Sequence, residues 1–111
     1  MITIYDCLHD MGDPRGCAAH MRRILKPDGT WMIVEPLAGN RLEDNLNPVS
    51  RIYYNASTMI CVPTSLDPEV GEGLGAQAGE AKITEVVAAG GFSKIRRTTH
   101  RPFNMVLEAR P

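Results

Sequence analysis

Ile2-Thr3-Ile4-Tyr5-Asp6-Cys7-Leu8-His9-Asp10-Met11-Gly12-Asp13-Pro14 begins as a strand and ends as the cap of a helix. The β-branched and aromatic residues up to Tyr5 suit a short pleated segment, and the polar residues from Asp6 onward end it. Asp13 offers an acceptor to the free N–H groups of a first helical turn, and Pro14 has its φ preset for that turn. Cys17, Met21, Ile24 and Leu25 then fall at i, i+4, i+7 and i+8, which predicts a helix with one buried face. Lys26-Pro27-Asp28-Gly29 stops it, and Trp31-Met32-Ile33-Val34 is a continuous apolar run of the kind that strands buried on both faces require. So short a crossover predicts a parallel pair with a right-handed connection, and with it an α/β fold.

From Glu35 to about Gly79 the regularity is lost, and Pro36, Pro48, Pro63, Pro68 and several glycines break the stretch into short pieces. Within it Asn47-Pro48 reads as a cap followed by an amphipathic helix through Ile52, Tyr53, Ala56 and Met59-Ile60. Gly71-Glu72-Gly73-Leu74-Gly75 follows no strand and opens no helix, so it reads as a loop and not as a phosphate cradle. A further helix is expected over roughly Glu80 to Ala89, with Ile83, Val86 and Val87 on one face and Gly90-Gly91 as its stop. Lys94 to Thr99 and Phe103 to Arg110 read as two strands joined by His100-Arg101-Pro102. Phe103, Met105, Leu107 and Ala109 alternate with more polar neighbours along the second.

The chain has 111 residues, 43% hydrophobic and 23% charged, which suits one domain burying roughly two-thirds of its unfolded surface. A formal net charge of -1 without a dense Lys/Arg block provides no electrostatic footprint, so neither nucleic acid nor membrane is expected as a partner. No apolar run approaches the roughly 20 residues of a membrane-crossing helix, and the start lacks a signal peptide's pattern. A cytoplasmic protein is expected. The three cysteines Cys7, Cys17 and Cys61 form no Cys-x-x-Cys and no disulfide framework.

In open α/β sheets ligands sit beyond the carboxyl ends of the strands. Asp6 to Asp13 and Glu35-Pro36-Leu37-Ala38-Gly39 leave two neighbouring strands from the same edge, which brings His9 or Asp10 near Glu35. A carboxylate there can orient an imidazole and favour its protonated form. Plainer readings stand beside this one. His9 can be a loop histidine bonded to backbone, Asp13 a helix cap, Glu35 a strand-end cap, and Tyr53 and Tyr54 core and rim residues. Asp6, His9 and Asp13 also allow a metal-dependent hydrolase, but acidic residues at helix starts are common without an ion, and no metal is expected.

Leu8-His9-Asp10-Met11-Gly12-Asp13, Ile24-Leu25-Lys26-Pro27-Asp28-Gly29-Thr30, Ile33-Val34-Glu35-Pro36 and Gly90-Gly91-Phe92, in that order, resemble the carboxyl-terminal half of class I S-adenosylmethionine-dependent methyltransferases. More narrowly, they are similar to O-methyltransferase-like bacterial enzymes with an amino-terminal winged-helix domain. The resemblance covers essentially residues 1–111. It implies a truncated Rossmann-like methyltransferase sheet made of strands four to seven, the last antiparallel, with a helical insertion after strand five.

It also implies roles. His9 would be the base that takes the acceptor hydroxyl's proton, and Glu35 the carboxylate that steadies it. Met11 stands where the family has a tryptophan against the cofactor's adenine, with Asp6 and Cys7 beside it on the cofactor side. Gln77 or Glu80 lies near the place of a second glutamate. Tyr53, Tyr54 and Met59 would line the pocket of a small-molecule acceptor. The family's glycine-rich turn and second-strand acid, which hold S-adenosylmethionine, have no counterpart in the sequence. A second class of function is therefore expected beside the enzyme: a noncatalytic interaction module that dimerises through an open strand edge or docks with a separate amino-terminal half.

Overall fold

The computed structural model describes residues 1–111. Strands β1 (Ile2–Tyr5) and β2 (Trp31–Pro36) run parallel, with Ile2 opposite Trp31 and Ile4 opposite Ile33. Strands β3 (Lys94–His100) and β4 (Asn104–Arg110) form a hairpin, and β4 inserts antiparallel between β2 and β3. The four-stranded order is β1-β2-β4-β3, so the last strand alone is reversed, as expected.

Helix α1 (Pro14–Ile24) starts where the sequence places it, because an oxygen of Asp13 accepts the Gly16 N–H at 2.7 Å. The last helix of the chain (Gly79–Ala89) ends at Gly90 and packs along α1. A Cβ on Gly90 would stand 2.6 Å from the carbonyl carbon of Ala18, so hydrogen at that position permits the approach. Both helices cover one face of the sheet, where Ala18, Trp31, Ile33, Ile83, Val87 and Leu107 are buried together. Trp31 and Phe92 lie with ring centroids 5.2 Å apart and tilted by 39°.

The opposite face carries no helix, and this corrects the expectation of a β2 strand buried on both sides. Met32 and Val34 are only half-buried, and Thr3 and Tyr5 beside them are exposed. Two further apolar positions depart from their sequence pattern. Ile24 is 56% exposed, while Ala18 and Leu25 join the core and Cys17 and Met21 pack against it. Phe103 precedes β4 and is also exposed, while Met105, Leu107 and Ala109 are buried as their alternation predicts.

The stretch after β2 folds into a short 3-10 turn (Leu42–Asn45) and then one long helical rod. The rod comprises α2 (Pro48–Ala56), a wide π turn (Ser57–Cys61) and α3 (Val62–Leu66). Asn47 caps it by accepting the Ser50 N–H at 2.9 Å. Pro63 does not break the helix as expected. The Val62 N–H donates to the Ser57 carbonyl five residues back, and this wider turn makes room for the proline ring where a regular turn would clash. The remaining helix, Gly79–Ala89, is α4.

Candidate functional site

The site is built where β1 and β2 end. Asp6 leaves β1 with φ +45°, a left-handed conformation that Asp tolerates better than most residues, and its carboxylate accepts an N–H of Asn104 at 2.8 Å. The chain then makes a single 3-10 turn (Leu8–Asp10) that carries His9 inward. Glu35, near the end of β2, is 1% exposed. Its Oε1 accepts the backbone N–H groups of Leu8 at 2.8 Å and Cys7 at 3.3 Å, and its Oε2 lies 2.5 Å from His9 Nδ1. One buried carboxylate thus ties the turn to the sheet and fixes the imidazole. The topological expectation that His9 or Asp10 approaches Glu35 resolves to His9.

Burial alone would push the His9 pKa down, but the hydrogen bond and charge of Glu35, with Asp10 and Asp6 adding to them, raise it above its ordinary value. When the ring is neutral, the Glu35 bond holds its proton on Nδ1 and leaves the lone pair on Nε2. Nε2 lies 3.3 Å from Asp10 Oδ1, which is buried without a hydrogen-bond partner. Cys61 completes the cluster from the π turn, with His9, Asp10 and Cys61 ligand atoms all within 4.8 Å of one another. Burial first, and then Asp10, push the Cys61 thiol up to about 11. Burial likewise raises Cys7 and Cys17, so all three cysteines are thiols at neutral pH and not poised nucleophiles.

A second layer clamps the turn. Ser65 in α3 is wholly buried, and its hydroxyl donates to the Met11 carbonyl at 2.7 Å while accepting the Gly73 N–H at 3.0 Å. The Gly71–Gly75 segment lies over the turn, with the Gly75 N–H donating to the His9 carbonyl at 3.2 Å and the Glu72 N–H to the Gly12 carbonyl at 3.0 Å. Gly75 has φ +72° and stands against Ser57. The glycines therefore serve chain reversal and close packing, and these N–H groups are spent inside the protein. Sequence reasoning singled out neither Cys61 nor Ser65. No local pattern marks them, because the rod that carries them meets the His9 turn only in the folded chain.

The remaining predicted residues scatter around this centre. Met11 is half-buried against the core, and Cys7 is half-buried with its N–H spent on Glu35. The Tyr53 hydroxyl donates to the Phe103 carbonyl at 3.4 Å, and burial first and Asp6 second raise its pKa. Tyr54 lines an open cleft of about 630 Å³ with Leu46, Arg51 and Asn55. Met59 is 79% exposed. Glu80 pairs with Arg97 at 3.2 Å, and Gln77 donates to the Ala76 carbonyl at 2.9 Å. No helix is long and apolar enough to cross a membrane.

No family model matches the sequence, and no curated protein matches it. Among solved structures, the chain is similar to an O-methyltransferase family protein from Burkholderia thailandensis, with a TM-score of 0.62 and 18% identity over 97% of this chain. The chain shares the fold of part of that protein. It spans 29% of the length of that protein.

Proposed function

We propose that the chain carries the acceptor side of an S-adenosylmethionine-dependent methyl transfer to a hydroxyl oxygen of a small molecule, with His9 as the base. One observation carries the reading: a buried imidazole held by a buried glutamate beyond the ends of two parallel strands, in a fold shared with an O-methyltransferase family protein. Glu35 keeps the His9 proton on Nδ1, and Nε2 takes the hydroxyl proton as the acceptor oxygen gains its methyl group. Such a base contributes typically about 100-fold or more, and positioning of the acceptor supplies much of the remainder. His9 is 4% exposed and its ring lies against Asp10 and Cys61, so this reading brings the acceptor in on that side. Tyr53, Tyr54 and Met59, the lining residues that the resemblance implies, stand on the same rod as Cys61.

Bound S-adenosylmethionine supplies the methyl group as a sulfonium. Asp6, with an exposed carboxylate, and Met11, with a half-buried thioether, fit the edge of such a cofactor, with Cys7 between them. They provide no cradle of free N–H groups, and this reading puts the rest of the cofactor site outside residues 1–111. The test is methyl transfer from labelled S-adenosylmethionine to a set of phenols and alcohols by a protein that carries this chain together with the rest of the cofactor site. His9→Ala should lower the rate at least about 100-fold, and a rate near wild type would remove His9 from the chemistry.

A second reading, an interaction module, is favoured by β1. The Ile2 and Asp6 amides donate to Thr30 and Val34, so by alternation the Thr3 and Tyr5 amides face the open edge of the sheet. Pairing of two copies, or of one copy with a separate amino-terminal half, would use these groups. Sedimentation that stays monomeric at every concentration and shows no association with added partner strands would dismiss it.

A further inference from the structure

We propose that His9 Nε2, Asp10 Oδ1 and Cys61 Sγ together bind one borderline-soft divalent cation of the zinc type. Three different donor atoms converge from two separate elements, the 3-10 turn and the π turn, with every ligand atom within 4.8 Å of the others. His9 Nε2 and Asp10 Oδ1 are 3.3 Å apart, and the Asp10 carboxylate also takes the Cys61 thiol's hydrogen bond, whose proton an ion would displace. Two ligands about 2.0–2.1 Å from a tetrahedral zinc ion are themselves about 3.3 Å apart.

The surroundings fit the same chemistry. Histidines that bind metal donate their other ring N–H to a carboxylate or carbonyl, which fixes the tautomer and aims the lone pair. Glu35 Oε2, 2.5 Å from Nδ1, does this for His9. A nitrogen, an oxygen and a sulfur suit zinc or cobalt and disfavour magnesium and calcium, which take oxygen ligands. The clamp by Ser65 and Gly75 holds the turn in place, and the 37% exposed Asp10 side chain leaves a path for the ion to enter. A bound ion would occupy Nε2 and so compete with any proton transfer there. Ion binding itself does not depend on methyl transfer, and the two readings fail separately.

The experiment is titration of the metal-stripped whole chain with Co2+ under reducing, anaerobic conditions, followed by its visible tetrahedral bands and near-ultraviolet thiolate-to-cobalt band, and then by displacement with Zn2+. One equivalent should bind with both signatures. Cys61→Ser should abolish the thiolate band and weaken binding at least about tenfold, and Glu35→Gln should weaken it about 10–100-fold. Cys7→Ser and Cys17→Ser should leave both signatures unchanged. Trp31 fluorescence checks folding, and Asp10→Asn, which keeps the side chain's shape, should weaken binding in a folded protein. Octahedral cobalt without a thiolate band, a band that survives Cys61→Ser, or a band lost with Cys17→Ser would overturn the assignment.

Discussion

Replacing Glu35 by glutamine removes one charge and almost no volume, which makes it the sharpest probe of the centre. The carboxylate makes three hydrogen bonds, to the Leu8 N–H, the Cys7 N–H and His9 Nδ1, and is 1% exposed. Hydrogen bonds to a charged group contribute about 1.5–3 kcal/mol against about 0.5–1.5 for neutral ones, so an amide oxygen keeping the two backbone N–H bonds weakens each by about 1 kcal/mol, and the amide NH2, which cannot accept from Nδ1–H, costs at least about as much again at His9. Glu35→Gln should therefore cost about 3 kcal/mol. Glu35→Ala should cost more, about 3–5 kcal/mol, because it leaves buried donors unpaired. Against a total stability of about 5–15 kcal/mol, the alanine variant approaches unfolding. Urea denaturation read by fluorescence of the buried Trp31 measures both, with a slope of about 1–3 kcal/mol per molar converting the midpoint shift. A loss under about 1 kcal/mol for Glu35→Gln with an unchanged slope would refute the view that a charged Glu35 organises the turn.

Other expectations concern separate links. Gly90→Ala should destabilise by about 1–3 kcal/mol through overpacking, since its Cβ would press on the Ala18 and Ala19 backbone at 2.6 and 2.7 Å; a stabilised variant would mean that α1 and α4 yield easily. Thr3→Pro removes an outward amide and no β1–β2 bond, so it should leave the urea midpoint within about 0.5 kcal/mol while abolishing any concentration-dependent association through β1. In chelator-treated protein the raised His9 pKa sets a sign. His9 contributes its full stabilisation below the ordinary value near 6.5, and that contribution is lost as pH rises through the raised folded value. Urea midpoints should thus fall with rising pH in that window, and the fall should vanish in Glu35→Gln.

Much of the architecture was legible because it is local. Caps at Asp13 and Asn47 act on an N–H three residues ahead, Gly90 ends α4 at its own position, and the alternation of Met105, Leu107 and Ala109 reports which face of β4 meets the core. Topology then brought His9 or Asp10 to Glu35 with no more than the rule that parallel strands present their ends together, and the structure resolves the choice to His9. Pro63 misled, because its compatibility with a helix depends on a π turn that residue types alone do not announce. Ile24 and Phe103 misled in another way, since periodicity marks an apolar face but not where the covering layer stops.

By itself the sequence determined the strand-helix-strand opening, the two final strands and the approach of His9 or Asp10 to Glu35, since each follows from short-range periodicity or chain direction, while the reversal of the last strand came from the resemblance. Only the tertiary structure decided that Cys61, more than fifty residues from His9 in the chain, reaches the same centre, and that Ser65 and Gly75 lock the turn there. The reason is physical. The rod from Pro48 to Leu66 has few local constraints on its direction, and its docking is set by Ser57, Ser65 and the glycine segment bonding across loops, contacts that exist only once both partners are folded.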